Sequence, residues 1–220
     1  MDRSEWVQAK RREAEEKYDK LWAPLYSERW GVYANTSHQQ FIQKFLKLLP
    51  PHSTILDAAC GAGRYMSSLL EKDHIVVGID QANGMLARVK EKFPNVRVEK
   101  IGLQEMDYQQ AFEGVICMDA MEHVFPENWQ RVLGNFQRAL KPQGYLYFTV
   151  EIIDKAEIEQ AFSRGQQLGL PVVYGELPEE DEVYHYYPPM GQVRAWSRLA
   201  GFALIEEGEG DGYHHFVWRS

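Results

Sequence analysis

The run Ile55-Leu56-Asp57-Ala58-Ala59-Cys60-Gly61-Ala62-Gly63-Arg64 admits few folds. Apolar residues lead into an acid, a turn of small residues follows, and helix formers come next. A second apolar run, Ile75-Val76-Val77, continues through Gly78-Ile79 to Asp80, nineteen residues after Gly61. Strand, glycine turn, helix, strand and acid is the layout of a nucleotide-binding βαβ unit. The small residues let backbone come close to a ligand, because a larger side chain would fill the space. An acid at the tip of the second strand is placed to bind a ribose diol. A dinucleotide fold would want Gly-x-Gly-x-x-Gly, and counted from Gly61 its last position is Met66, which does not fit. A glycine pair alone would also suit a plain tight turn; the acids and their spacing weigh against that.

Strand and helix patterns alternate from residue 54. Strands are expected near 54–58, 75–79, 96–101, 114–118 and 144–150, with helices between them. The clearest helix spans 127–140, where Trp129, Val132, Leu133, Phe136 and Leu140 recur at helical spacing. Such alternation implies a parallel sheet with helices on both faces. Further helices are expected near 155–167 and 190–200, and a terminal hairpin from 202–207 and 213–218 around Gly208–Gly212. Before the alternation, residues 5–22 are charged and helix-prone, with Val7, Ala14, Tyr18 and Leu21 as a thin apolar stripe. Residues 23–36 are aromatic and irregular. Ser37, with Gln40, is expected to cap a helix that Pro50-Pro51 ends. The chain thus divides into an N-terminal helical extension or lid (1–36) and one α/β domain (37–220) with an insert at 171–190.

The 220 residues are 45% hydrophobic, enough for one domain with a substantial core. The opening Met1–Trp6 lacks the apolar core of a signal peptide, and no run approaches the roughly 18 apolar residues of a membrane span. Cys60 and Cys117 fall in or beside expected strands and read as small core residues in a reducing, cytoplasmic compartment. The first 110 residues hold 16 Lys/Arg and 15 Asp/Glu, whereas the last 110 hold 8 and 17. That acidity argues against nucleic acid as a partner.

The segment Asp57-Ala-Ala59-Cys-Gly61-Ala-Gly63 resembles motif I of the class I S-adenosylmethionine (SAM) methyltransferases, acid-x-Gly-x-Gly-x-Gly, with Ala59 in place of the first glycine. Leu140-Lys-Pro-Gln-Gly-Tyr145 resembles that family's LKPGG-strand signature, and the likeness covers about residues 37–219. It implies a doubly wound, mostly parallel seven-stranded sheet with an antiparallel C-terminal hairpin strand, a Rossmann-like arrangement. It also implies SAM as cofactor. The amino-acid part of SAM would lie against Asp57, Ala59, Cys60, Gly61 and Gly63, and the ribose against Asp80 and Gln81. The third strand end departs from the family: Gly102 stands where an acid often meets the adenine, leaving Leu103 and Gln104 for that contact.

The fourth strand end reads Asp119-Ala-Met-Glu122-His123 and should face the acceptor. His123, Asp119 and Glu122 are the candidate catalytic residues: His123 as general base, the carboxylates to hydrogen-bond or deprotonate the acceptor, with Asp119 also touching the cofactor. The alternative is that the histidine packs and hydrogen-bonds a strand end. The three also resemble a Glu-x-x-Glu-His metal triplet, a spacing too common to imply a metal. In the insert, five acids from Glu176 to Glu182 precede Tyr184, His185, Tyr186 and Tyr187. With Tyr26, Trp30 and Tyr33 they are expected to form a mobile cover, the tyrosines awaiting a ligand, or else a solvated acidic loop with packed aromatics. Of His214 and His215, alternation points one outward. The expected function is methyl transfer from SAM to an O or N atom of a small molecule, with amine or aromatic acceptors favoured by the acidic cover. The alternatives are a protein or RNA methyltransferase, or a SAM-binding protein without catalysis.

Overall fold

The computed structural model describes residues 1–26, 28, 35–178 and 183–220. Helix α1 (Arg3–Glu16) starts at a capping box in which Asp2 accepts from the Glu5 N–H and Glu5 reaches back to the Asp2 N–H. It runs on into a wider π-turn, Lys17–Trp22, and a short 3₁₀ turn, Ala23–Leu25. Helix α2 (Thr36–Leu48) follows. Then come β1 (Thr54–Ala58), α3 (Met66–Leu69), β2 (Ile75–Asp80), α4 (Asn83–Lys92), β3 (Arg97–Lys100) and β4 (Phe112–Cys117). The second half holds α5 (Trp129–Ala139), β5 (Leu140–Glu151), α6 (Lys155–Gln167), the two-residue strands β6 (Glu176–Leu177) and β7 (His185–Tyr186), α7 (Met190–Leu199), β8 (Ala203–Gly210) and β9 (Tyr213–Arg219).

Seven strands form one sheet in the order β3-β2-β1-β4-β5-β9-β8. The first five are parallel, and β9 runs antiparallel between β5 and β8. The chain winds outward from β1 through β2 to β3, then restarts at β4 on the other side of β1. That reversal opens a crevice at the carboxyl ends of β1 and β4. The sheet holds its place because both faces are covered. Trp129, Val132, Leu133 and Phe136 of α5 are fully buried on one face, and Ile42, Phe45 and Leu46 of α2 are buried on the other. Burying each such side chain contributes about 1.5–3 kcal/mol.

Two expectations need correction. The N-cap of α2 is Asn35, whose Oδ1 accepts the His38 N–H at 2.9 Å, and not Ser37. Ser37 instead donates its backbone N–H to Asp211 on the β8–β9 turn, at 2.8 Å. Both His214 and His215 are buried, at 5% and 0% exposure. The alternation argument assumes one open sheet face, but β9 is an interior strand. His215 stacks on Phe41 of α2, and His214 lies against Phe216, Glu207 and Glu209 on the other face. Among the described residues no helix is long and apolar enough to cross a membrane.

Candidate active site

The turn after β1 is tightly coiled. Ala59, Gly61 and Gly63 all have left-handed backbone, with φ of 59°, 52° and 76°. Ala59 is the strained member, since a Cβ disfavours that region by roughly 1–2 kcal/mol. A Cβ on Gly63 would meet Met66 Sδ and Val89 at 3.3 Å. At Gly61 the nearest protein atom to a Cβ would be Tyr26 Oη at 3.7 Å, and the residue lines a cavity. Asp80 ties this turn to the next strand, one carboxylate oxygen accepting from Gly61 N and the other from Ala82 N, both at 2.9 Å.

Asp57 is 2% exposed, lines the same cavity, and its Oδ2 finds no hydrogen-bond partner among the described residues. Burial, and then the charge of Asp80, push its carboxyl up to about 7. Burial pushes Asp80 up to about 6 against the opposing backbone N–H groups of Ala82 and Gly61. The pair is therefore short of positive charge.

The cavity measures about 660 Å³ and runs across the carboxyl ends of β1 to β5. At its β3 side are Gln81, Ile101, Gly102, Leu103 and Gln104. Asn135 of α5 donates from Nδ2 to the Leu103 carbonyl at 2.7 Å and to the Gln104 carbonyl at 3.3 Å, which fixes the backbone there. A Cβ at Gly102 would lie 2.4 Å from Glu105 Oε2, the end of a half-exposed flexible side chain that would have to swing aside.

After β4 the three predicted residues separate into three different settings. Asp119, at φ 51°, donates its N–H to Thr149 Oγ1 at 2.9 Å. Its carboxylate meets His38 Nε2 at 2.6 Å, Tyr65 Oη at 2.7 Å and Arg64 Nη1 at 3.0 Å. Burial alone would raise this carboxyl, but those partners, His38 foremost, hold it below its usual value. Glu122 is 3% exposed and lines the cavity, and its Oε2 has no partner among the described residues. Burial, with Asp119 and Glu151 nearby, pushes it well up.

His123 Nδ1 lies 3.0 Å from the Tyr184 carbonyl and Nε2 lies 3.0 Å from Tyr18 Oη. A carbonyl only accepts, so Nδ1 carries the hydrogen and Nε2 accepts from the tyrosine. Burial and the neighbouring His185 lower this imidazole to about 3, so it is neutral. Among the described residues no group of three or more His, Cys, Asp or Glu side chains could hold a metal ion.

The N-terminal helices form one wall. Tyr18, Leu21, Trp22 and Tyr26 line the cavity. Asp19 accepts the N–H of Gly84 at the start of α4, and Arg88 donates to the Ala23 carbonyl at 3.2 Å. At the far end of α1, Arg3 binds Glu127 at 2.6 Å, the Pro171 carbonyl at 2.9 Å, and Glu176. Trp6 sits edge-on to Phe125 and Tyr184.

Glu176 is thus not part of a solvated acidic loop. It is fully buried and also accepts from Tyr184 Oη at 2.5 Å and Val173 N at 2.7 Å. Tyr184, Tyr186 and Tyr187 are already buried by protein, at 4%, 4% and 8% exposure, and do not wait for a ligand. The acids at 179–182, and Trp30 and Tyr33, lie outside the described residues. Sequence reasoning missed His38, Arg64, Tyr65, Thr149 and Glu151; no spacing rule marks them, because their partners come from elements far away in the chain.

Residues 55–144 match the family model described as a methyltransferase domain. That match spans 90 of the 220 residues, and the sheet order around it is the fold of the class I SAM-dependent methyltransferases. It is 28% identical over 159 residues to a ubiquinone biosynthesis O-methyltransferase of Saccharophagus degradans, a match covering 69% of this chain and 64% of that protein. It spans less than two thirds of the length of the first curated relatives it matches.

Two solved methyltransferases share the fold. One is 1,6-didemethyltoxoflavin-N1-methyltransferase of Burkholderia thailandensis, solved with bound 1,6-didemethyltoxoflavin and S-adenosylhomocysteine (TM-score 0.73, 16% identity, 100% of this chain and 91% of that one). The other is magnesium protoporphyrin IX methyltransferase of Synechocystis, solved with S-adenosylhomocysteine (TM-score 0.69, 15% identity, 96% of this chain and 98% of that one). Against the motif the chain departs at Ala59, which takes a left-handed turn position, and at Gly102, just before the Leu103 carbonyl that Asn135 holds.

Proposed function

We propose that the protein binds SAM and transfers its methyl group to an O or N atom of a small molecule. The observation that carries the reading is the unpartnered Oδ2 of buried Asp57, in a cavity whose floor is the side-chain-free Gly61 and whose rim is Asp80. An ammonium group would satisfy Asp57 and a ribose diol would use the open lone pairs of Asp80, while a larger residue at Gly61 would occupy the approach. Leu103 and Gln104 would border the adenine, with Ala59, Cys60, Gly63 and Gln81 shaping the same cradle. Bound SAM supplies an already activated methyl group.

The chain's own tasks are then to align, to exclude water and to take a proton where the acceptor must lose one. Asp119, saturated by His38, Tyr65 and Arg64, is a positioning group in this reading. His123, lowered to about 3 and hydrogen-bonded at both nitrogens, is too weak a base to keep a proton and instead holds Tyr18 at the cavity wall.

A non-catalytic SAM-binding role is the second reading. Its support is that both Asp119 and His123 already have their hydrogen bonds filled by protein. Calorimetry with SAM, S-adenosylhomocysteine and NAD tests the cofactor: micromolar affinity for the first two and none for NAD is expected. Methyl-labelled SAM incubated with a small-molecule extract then separates the readings. Label appearing in a small molecule supports the enzyme, and label in protein or RNA only moves the acceptor class. Tight SAM binding with no labelled product favours the binding protein.

A further inference from the structure

We propose that Glu122 is the acceptor-binding carboxylate and that it selects a basic amine; this rests on the methyl-transfer reading above. Position comes first. The cofactor cradle lies over the tips of β1 and β2, and Glu122 and Glu151 lie beyond the tips of β4 and β5. Neighbouring strands are spaced by about 4.8 Å, and β4 is next to β1, so Glu122 stands about one strand spacing from the cradle and Glu151 about two, which puts an acceptor directly beside the cofactor.

Glu122 is 3% exposed and lines this part of the cavity, and its Oε2, itself closed to water, has no partner among the described residues. A buried carboxylate oxygen left without a donor is costly, so the site asks for a ligand that donates. Glu151 lines the same region, one of its oxygens held by Tyr187 Oη at 2.8 Å.

Charge narrows the donor to a cation. Asp57, Asp80, Asp119, Glu122 and Glu151 all line the cavity. Among the described lining residues Arg64 is the one cationic side chain, and it is ion-paired with Asp119. His123 is neutral, and burial likewise lowers His185. An acceptor carrying its own carboxylate meets repulsion here, an alcohol is neutral, and an ammonium is attracted. Tyr18, Trp22 and Tyr26 add aromatic faces that favour a cation further. A protonated amine has no lone pair to give. The cation favours the ionised form of Glu122, which gives up its own proton to water as the amine binds; Glu122 then takes one proton from the ammonium: the N–H bond breaks, its electron pair stays on nitrogen, and the proton goes to Oε2.

The test titrates the protein, saturated with S-adenosylhomocysteine, with matched sets: phenethylamine, 2-phenylethanol and phenylacetate, then tryptamine, tryptophol and indole-acetate. The expected result is that the amine binds about tenfold or more tightly than its alcohol in at least one set, and that the acid does not bind. Glu122→Gln should bring amine and alcohol within about threefold, with an unchanged melting temperature and unchanged S-adenosylhomocysteine affinity. An alcohol or acid that matches the amine, an advantage that survives in Glu122→Gln, or no amine binding at millimolar concentration overturns the proposal. Failure of S-adenosylhomocysteine to bind overturns the underlying reading instead, and the same amine titration on the free protein still reports on Glu122.

Discussion

The two halves of the cavity are built differently. The half over β1 and β2 is made of backbone: a left-handed turn, two acids and hydrogen bonds between segments about twenty residues apart, such as Gly61 N to Asp80. The half over β4 and β5 is made of side chains brought from far away. Tyr18 meets His123 across 105 positions, and Arg3 meets Glu176 across 173. The first half uses few atoms that a substitution could replace without changing the chain path. The second uses many, each replaceable, which is the construction expected where acceptors must vary and the cofactor must not.

Substitutions can break or sharpen that contrast. The largest effect is expected at Gly61→Val. SAM affinity should fall by about a thousandfold or more through steric block, while stability drops only by the roughly 1–2 kcal/mol of a left-handed valine. Calorimetry beside thermal unfolding reads both. Asp80→Ala should come next, costing about 2–4 kcal/mol of SAM binding, since it removes ribose contacts and the tie to Gly61 together. Unchanged affinity there would sink the cofactor assignment.

The acceptor half should respond in another way. Trp6→Ala should weaken docking of α1 by about 3 kcal/mol, exposing residues 1–26 to protease with a smaller loss of SAM affinity than Asp80→Ala. Equal protease resistance would mean that the Asp19 and Arg88 contacts hold the N-terminal segment unaided.

The pH dependence is a smaller effect with a definite sign. SAM should bind the ionised form of Asp57, whose proton leaves at about 7 in the free protein. Affinity should therefore rise with pH, by at most about tenfold per unit below 7, and level off above it. Asp57→Asn should flatten the profile. In the free protein the folded carboxyl holds its proton more tightly than the unfolded one. Its contribution to stability is thus greatest at low pH and declines as pH rises from 3.8 towards about 7.

The smallest effect is expected at Tyr18→Phe. Loss of one neutral hydrogen bond should cost about 1 kcal/mol in stability. A fall in turnover of a hundredfold or more, with SAM affinity kept, would show that Tyr18 and His123 move a proton.

Alternating patterns and the spacing from Gly61 to Asp80 determined the sheet class, its strands, the turn and the two acids that line the cavity beside it. These depend on neighbours close in the chain, where period and residue size decide the conformation. Tertiary structure decided the rest. Ser37 and Asn35 are both good caps, and a contact from Asp211 settles which one serves. His214 and His215 look like an in-and-out pair until β9 proves to be covered on both faces. Glu176 reads as a surface acid until Arg3 and Tyr184 enclose it. Asp119, Glu122 and His123 stand within five residues, yet one is saturated, one keeps an oxygen without a partner among the described residues and one is locked to Tyr18. A side chain's charge, exposure and freedom depend on what packs against it, and in this half of the molecule every such partner comes from a distant element.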